Sequence, residues 1–400
     1  MARKPKNRSP FGQLLWQQRK QHKMTMRTLA NTVGVSESYI SLLESGDRQQ
    51  PARELVLKLA HALGARSSNQ LADQFLLAAG YYPADKQMYE HHGDTVQSFL
   101  DTLHKDPTNF QAYSALIFAY IKLGKSDEAR HMIQEGLGRF ENSNQLQSLL
   151  ASLELAKQNF DKAIELQQFA LKQQQQEQPH EALSSEESRR FQLNLGIMHF
   201  LRGLHYQELW LQSAEPGQQQ HAQKDYATAK TLLKALLDTQ ADAYILDEYA
   251  RICFNQGFVG GKTPNDSQRY WKECSESFEA VLRTPDKFTL GRQILMEACV
   301  FLAMAYTHQG RFETAEVLIH SLEVSINPPT ALLYYLKACY HSLKGQATQQ
   351  SSEAPLAFEA LETVHRIDPH FTPQALTDPD LAWLRQNHLS RLERLIHEKP

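Results

Sequence analysis

The sequence predicts an all-α protein in which a small helical bundle precedes a long array of paired helices. Two short segments of helical periodicity meet at Gly34, near the N-terminus. Farther along, Ala129 and Ala163 hold equivalent places in two similar segments 34 residues apart. A fixed period of this length is typical of stacked helical repeats. Hardly any stretch alternates apolar and polar residues as a half-buried strand does.

The composition is that of a soluble globular protein, with 42 % hydrophobic and 22 % charged residues. A chain of 400 residues is too long for one hydrophobic core, so it must form several domains or a stacked array. No run approaches the roughly 18 apolar residues of a membrane span. No apolar segment follows the basic first ten residues, so a secretory signal is not expected. We therefore expect a cytoplasmic protein.

The cysteines are far apart and form no CxxC pair. This spacing predicts small buried residues in a reducing compartment rather than a metal or disulfide framework. The four are Cys253, Cys274, Cys299 and Cys339. The scattered histidines show no ligand spacing either, and we expect no metal and no cofactor.

Charge is distributed unevenly along the chain. Residues 1–66 carry 12 Lys and Arg against 4 Asp and Glu, a net +8, so the remainder carries −11 of the total of −3. A basic head suits contact with phosphates, whereas an acidic body avoids them. The alternative is a basic tail without a function, but the charge coincides with a motif.

That motif lies in residues 24–46, where two predicted helices are joined by a tight turn. Thr25 can cap the first helix, and Gly34 supplies the left-handed residue that ends it. Ser36 can cap the second helix, which ends at Gly46. This is the helix-turn-helix pattern, whose second helix enters the DNA major groove. Flanking helices are predicted over residues 11–21 and 54–63.

Residues 11–64 resemble the Xre/Cro/C1 repressor family of helix-turn-helix proteins. The residues in register with that family are Leu29-Ala30, Gly34-Val35-Ser36, Ile40, Glu44 and Gly46. The resemblance implies an internal ion pair between Arg19 and Glu44 that positions the recognition helix. The family usually begins its first motif helix with Gln, where this chain has Met26. The phosphate contact of that Gln is therefore expected to be lost or to move to Thr25 or Arg27.

The resemblance also implies a DNA-binding face on the recognition helix. Glu37 could accept a hydrogen bond from cytosine N4, and Leu42 could touch a thymine methyl group. The predicted DNA-binding residues are Thr25, Arg27, Ser36, Glu37, Ser38, Tyr39, Ser41, Leu42 and Arg48. Basic residues of the N-terminal arm also suit phosphates or a minor groove; they are Arg3, Lys4, Lys6 and Arg8. The alternative is a bundle that contacts only other proteins.

Behind this head, six helix pairs and a final helix are predicted. Small residues at equivalent places allow the paired helices to approach closely; they are Ala129, Ala163, Ala229, Ala315 and Ala357. The pattern resembles the tetratricopeptide-repeat family, which implies a superhelix with a concave groove. The predicted organisation is a basic arm over 1–10, the Xre-type domain over 11–66, linker helices over 67–106, tetratricopeptide-like repeats over 107–375 and a capping helix over 376–400. The Gln-rich insertions between repeats are expected to form loops or helix extensions.

The combination of an Xre-type head with such repeats resembles the RRNPP peptide-pheromone receptor regulators. That resemblance implies a homodimer in quorum sensing that binds double-stranded DNA and a short peptide in the repeat groove. The register predicts effector-binding residues on the first helices of the repeats, at Arg190, Asn194, Tyr249, Phe301, Thr307 and His308. The alternative is a DNA-tethered scaffold for protein–protein interaction with no small effector. No motif of an enzyme is present, so we expect no catalytic activity.

Overall fold

The computed structural model describes residues 9–46, 48, 51–63, 69–79, 93–140, 143–177, 186–260, 264–326 and 328–397. These residues form α-helices, short 3-10 turns and connections, and no strand occurs among them. The all-α prediction is therefore confirmed. The chain divides into two compact units, residues 1–198 and 199–400. The predicted basic arm lies outside the described residues except for its last two positions.

The head of the first unit is a bundle of five helices around one apolar core. They are α1 (Pro10–Gln21), α2 (Met26–Val33), α3 (Glu37–Ser45), α4 (Arg53–Ala62) and α5 (Asn69–Ala78). The rings of Phe11 in α1 and Phe75 in α5 meet edge to face, with centroids 5.9 Å apart. Phe75, Leu76 and Ala79 are buried in the same core as the helix-turn-helix residues. The sequence left two positions open for this linker helix, packing on the DNA-binding domain or pairing across a dimer, and α5 packs in the core of the head.

Repeat helices fill the rest of the first unit. They are α6 (Gly93–Lys105), α7 (Phe110–Lys122), α8 (Ser126–Arg139), α9 (Asn144–Ala156) and α10 (Phe160–Glu177). Helix α6 packs on α7 through the buried Phe99. The second half of the predicted linker thus packs with the repeats, as the first half packs with the head.

The boundary between the units falls in α11 (Glu186–Ser213), and the second unit continues the pairing of helices. Its further helices are α12 (Pro216–Thr239), α13 (Ala243–Val259), α14 (Pro264–Arg283), α15 (Gly291–His308), α16 (Phe312–Ser325), α17 (Ala331–Thr348), α18 (Glu353–Ile367) and α19 (Ala382–His397). Helix α15 contacts α13 on one side and α17 on the other. The first helices of successive repeats therefore stack on one another, as the period predicted.

Two sequence signals explain this packing. All five alanines predicted at close helix approaches are completely buried, so no larger side chain fits there without pushing the helices apart. The turn between α7 and α8 contains Gly124 at φ 72°, and Gln158, 34 residues later, adopts φ 62° in the turn between α9 and α10. The period thus fixes the backbone conformation of the turn even where glycine is absent.

The insertion at residues 215–223 is a helix extension rather than a loop. Helix α12 begins at Pro216, and Gln219 Nε2 donates to the carbonyl of Val259 at 2.8 Å. Gln223 Nε2 donates to the carbonyls of Gln256 and Gly260. Since the last carbonyls of a helix have no partner within it, these glutamines satisfy the C-terminal end of α13.

One segment of the described chain, Lys287–His308, has the length and composition of a membrane span. Its mean hydropathy is 1.4, and 39 % of its most apolar window is buried. The segment includes α15, which packs against α14, α16 and α17. The buried part of the segment lies mainly in its C-terminal half, where residues 302–307 are all buried.

Candidate DNA interface and repeat surfaces

Capping residues define both helices of the motif. Thr25 Oγ1 accepts a hydrogen bond from the N–H of Thr28 at 3.0 Å, and Ser36 Oγ accepts one from Tyr39 at 3.1 Å. Gly34 and Gly46 end the two helices at φ 77° and 78°, a conformation that side chains other than glycine rarely adopt. The predicted start and stop signals of the helix-turn-helix therefore agree with the structure.

The predicted pair of Arg19 and Glu44 is present and buried. Arg19 Nη2 donates to Glu44 Oε2 at 2.8 Å, and Arg19 Nε donates to Glu44 Oε1. Each residue is 3 % exposed. Arg19 Nη1 also donates to the carbonyl of Met24 at 3.0 Å, so one guanidinium links α1, α3 and the entrance to α2. The hydrogen bonds to Glu44 raise the pKa of Arg19 further.

The backbones of α1 and α3 also approach closely beside this ion pair. A Cβ added to Gly12 in α1 would lie 2.4 Å from the carbonyl oxygen of Leu43. Only glycine lets α1 pass this near to the end of α3. The recognition helix is thus fixed by an ion pair and by direct backbone contact.

One face of α3 is open to solvent and carries the predicted base-reading residues. They are Ser36, Glu37, Ser38, Ser41 and Leu42, all exposed; Leu42 is 43 % exposed. The opposite face, with Ile40, Leu43 and Glu44, is buried. The side chains of Glu37, Ser38 and Ser41 are available for contacts with bases, since a recognition helix reads the groove with the residues that do not pack.

The phosphate candidates surround this face. Thr25 and Arg27 are exposed at the start of α2, while Met26 packs against the core of the head. Arg48 is exposed, and its guanidinium carbon lies 5.1 Å from the centre of the Tyr39 ring. Tyr39 also packs partly on the core, so it serves as a support for Arg48.

In the first unit, the predicted effector residues are half-buried on α11. Asn194 Nδ2 donates to Ser148 Oγ of α9 at 3.4 Å, a long hydrogen bond. The guanidinium carbon of Arg190, one turn earlier, lies 5.8 Å from the ring centre of Phe191. Both residues are therefore only partly covered by protein.

In the second unit, the predicted effector residues pack inside the repeats. Tyr249 is 8 % exposed, and its hydroxyl donates to Glu273 Oε1 at 2.6 Å; burial raises its pKa. Thr307 is 2 % exposed and donates to the carbonyl of Ala303 in its own helix. Neither side chain is open to a ligand in this structure.

The last two effector candidates belong to an aromatic cluster. The Phe301 ring centre lies 4.7 Å from that of Phe254 and 5.8 Å from that of Phe278. The His308 ring stacks on Trp271 with centroids 3.8 Å apart and planes 2° from parallel. Phe301 and His308 are both half-buried and are engaged by rings from other helices, contacts that helical register alone does not predict.

A cavity that the sequence did not suggest lies between α16, α17 and α18. Its volume is about 350 Å³, and its walls include Ile319, Tyr334, Lys337, Leu356 and Glu359. Half of its lining residues are Glu, Lys or His, so it lacks the mostly apolar lining of a typical ligand pocket. The residues come from three helices with no shared motif, so no sequence pattern could have identified them.

Family comparisons agree with both halves of this architecture. A helix-turn-helix family model matches residues 17–69. Tetratricopeptide-repeat models match residues 92–153 and 296–321. The chain carries an Xre-type helix-turn-helix ahead of tetratricopeptide repeats. This is the combination of a DNA-binding regulator with a protein-interaction domain, and the matched domain families are non-enzymatic. No curated protein matches the chain.

Three solved structures are distantly similar to the chain. BtubC (BKLC) from P. vanneervenii is 16 % identical with a TM-score of 0.40, over 61 % of this chain and 92 % of that one. A tetratricopeptide repeat protein from Parabacteroides merdae ATCC 43184 is 14 % identical with a TM-score of 0.39, over 86 % and 99 %. The APC/C hetero-tetramer Cut9–Hcn1 is 13 % identical with a TM-score of 0.33, over 97 % of this chain and 69 % of that one.

Proposed function

We propose that this protein is a cytoplasmic, sequence-specific DNA-binding transcription regulator whose repeats bind a short signalling peptide that switches DNA binding. The observation that carries the DNA part is the exposed polar face of α3, together with the buried pair of Arg19 and Glu44 behind it. Rigid presentation of a recognition helix allows its side chains to meet base edges at fixed distances.

The charge of the head supports the same proposal. Residues 1–66 have a net charge of +8, and Arg27 and Arg48 are exposed beside the base-reading face. Phosphate contacts supply sequence-independent affinity and orientation, whereas base contacts supply specificity. Two classes of residue on one bundle therefore have distinct, separable roles.

A homodimer fits this function. One recognition helix reads few base pairs, so two heads on half-sites about 34 Å apart or a multiple of that spacing provide the affinity of an operator. A peptide bound by the repeats switches the regulator if it changes the spacing of the two heads. This dimer and its quorum-sensing effector are part of the proposal.

Selection of random DNA fragments by the full-length protein at physiological salt tests the proposal. We expect a palindromic site with a defined half-site spacing. Addition of a pool of short synthetic peptides to the bound complex should change its affinity. Failure to enrich a sequence, with and without the peptide pool, would contradict sequence-specific binding. An enriched site that no peptide affects would favour the DNA-tethered scaffold.

Variants of the head separate the two classes of contact. Changing Ser38 and Leu42 together to Ala should relax operator choice and leave non-specific binding nearly unchanged. Changing Arg27 and Arg48 to Gln should weaken binding to every sequence and reduce the salt slope by about one for each phosphate that is no longer neutralised. If both double variants behave alike, the assignment of base-reading and phosphate-binding roles is wrong.

A further inference from the structure

Three potential metal ligands converge in the second unit. Cys339 Sγ of α17 and one carboxylate oxygen each of Asp378 and Asp380 all lie within 4.8 Å of one another. The two aspartates belong to the connection between α18 and α19, where Asp378 caps the short 3-10 turn Pro379–Leu381. Elements far apart in sequence thus bring a thiol and two carboxylates together.

The surroundings of these groups hold them in place. Asp378 Oδ2 accepts a hydrogen bond from the Tyr335 hydroxyl at 2.8 Å, and its Oδ1 accepts one from the N–H of Asp380 at 2.9 Å. His308 Nε2 lies 3.1 Å from Asp380 Oδ2. Outer partners of this kind orient ligating carboxylates in metal sites.

The buried thiol of Cys339 indicates a metal ligand set rather than a purely structural pair of acidic residues. Cys339 is completely buried, and among the described residues its Sγ donates to no other side chain. Asp380 is 6 % exposed. Arg385, the nearby cation, donates Nη1 to the main-chain carbonyls of Ala375 and Asp378 rather than to the carboxylates.

We propose that Cys339, Asp378 and Asp380 form a site for a divalent transition-metal ion of the zinc or cobalt type. A thiolate with two carboxylates is a donor set that Zn²⁺ accepts, with water in the fourth position of an open tetrahedral site. Zn–S and Zn–O bonds of about 2.3 and 2.0–2.2 Å place ligand atoms roughly 3.5 Å apart. The three atoms need to approach by on the order of 1 Å at the widest pair.

The electrostatics of the cluster favour a cation. Two carboxylates and a thiol lie within 4.8 Å of one another, and the guanidinium of Arg385 donates to main-chain carbonyls rather than to them. A bound divalent ion would compensate the negative charges of the three ligands together. The ion would join α17 to the segment before α19, so it would stabilise the end of the repeat array.

Cobalt titration tests this site on full-length, tag-free protein. The protein is treated with a chelator, kept reduced, and titrated with Co²⁺ while the near-ultraviolet thiolate-to-cobalt charge-transfer band is recorded. This band requires a sulfur ligand, so weak binding to the 17 histidines does not contribute to it. We expect the band to saturate at one equivalent.

Variants decide which thiol is bound. Cys339→Ser should abolish the band, whereas Cys274→Ser, which changes an equally buried cysteine, should leave it intact. Asp380→Asn keeps the thiol and should weaken Co²⁺ binding by at least about tenfold. Circular dichroism confirms that each variant is folded, and Zn²⁺ should slow the amide exchange of α17 more in the wild type than in Asp380→Asn.

Three results would overturn the proposal. They are the absence of a band in the wild type, a band that persists in folded Cys339→Ser, and a band that Asp380→Asn leaves unchanged in strength and affinity. None of these results depends on DNA binding or on a peptide, so this proposal stands or falls separately from the proposed function.

Discussion

Replacing Glu44 with Gln should loosen the head of the molecule without altering its exposed face. The pair of Arg19 and Glu44 is 3 % exposed at each residue and doubly hydrogen-bonded. Loss of one charge leaves the guanidinium buried without its counter-ion, which costs about 3–5 kcal/mol. Gln keeps the shape and one acceptor oxygen, so we expect the free energy of unfolding of the head to fall by about 3 kcal/mol.

Hydrogen exchange of the full chain measures this loss locally. A repeat array does not unfold in one step, but amide exchange reports the opening free energy of each helix. A loss of about 3 kcal/mol corresponds to exchange faster by on the order of a hundredfold in α1 and α3. The amides of α9 and α10 should be unaffected, because they lie in a different cluster of helices.

A matched exposed pair provides the control. Lys162 Nζ and Glu165 Oε2 are 2.8 Å apart with side chains 54 % and 69 % exposed, so Glu165→Gln should cost less than about 0.5 kcal/mol. The double variant Arg19→Met with Glu44→Leu should recover most of the loss, since apolar residues of similar volume often replace a buried pair without penalty. Equal effects of Glu44→Gln and Glu165→Gln would refute the reasoning.

Two further predictions concern the buried positions Gly345 and His341. The first is measured by amide hydrogen exchange of the altered helix, and the second by amide exchange of the second unit. Gly345→Ala should destabilise α17 by about 1–3 kcal/mol, because the added Cβ would lie 2.6 Å from the Trp383 ring. As a control, Gly138→Ala in α8 adds a Cβ with nothing within 4 Å and should stabilise its helix by up to about 1 kcal/mol. Destabilisation by both substitutions would contradict this reasoning. Burial lowers the pKa of His341 from 6.5, so the unfolded histidine takes up a proton first as the pH falls. Stability should therefore decrease as the pH drops from 6.5 through the folded pKa. His341→Gln should remove this dependence and exposed His370→Gln should not; an unchanged pH dependence in the first variant would contradict the assignment.

Local signals made the head predictable. Caps at Thr25 and Ser36 and glycines at Gly34 and Gly46 each act within a few residues, and the structure shows all of them in use. The role of α5 was not predictable in the same way. Its apolar face is compatible with a linker, a dimer contact or a core. Only the position of Phe75 against Phe11 decides between these.

The period of the repeats predicted which helices pair, but not every partner of the insertions. Ala129 and Ala163 report the spacing directly, because close helix contacts exclude larger residues. Gln219 and Gln223 have the composition of a solvated spacer, yet they bond the end of α13. Hydrogen bonds between side chains and a distant helix end leave no periodic mark in the sequence.

The same limit applies to the effector residues and narrows the search for the peptide. The first helix of a repeat is covered by neighbours on several sides; in α15, the six consecutive residues 302–307 are all buried. Register can therefore select the right helix while naming side chains such as Tyr249 and Thr307 that are already engaged. Arg190 and Asn194 remain half-buried on α11, and a bond of 3.4 Å to Ser148 costs little to exchange. A peptide backbone, rich in donors and acceptors, can replace such a hydrogen bond more easily than it can reach the buried side chains of Tyr249 and Thr307. If the repeats of this unit bind a peptide, Asn194 is therefore the residue from which its recognition should begin.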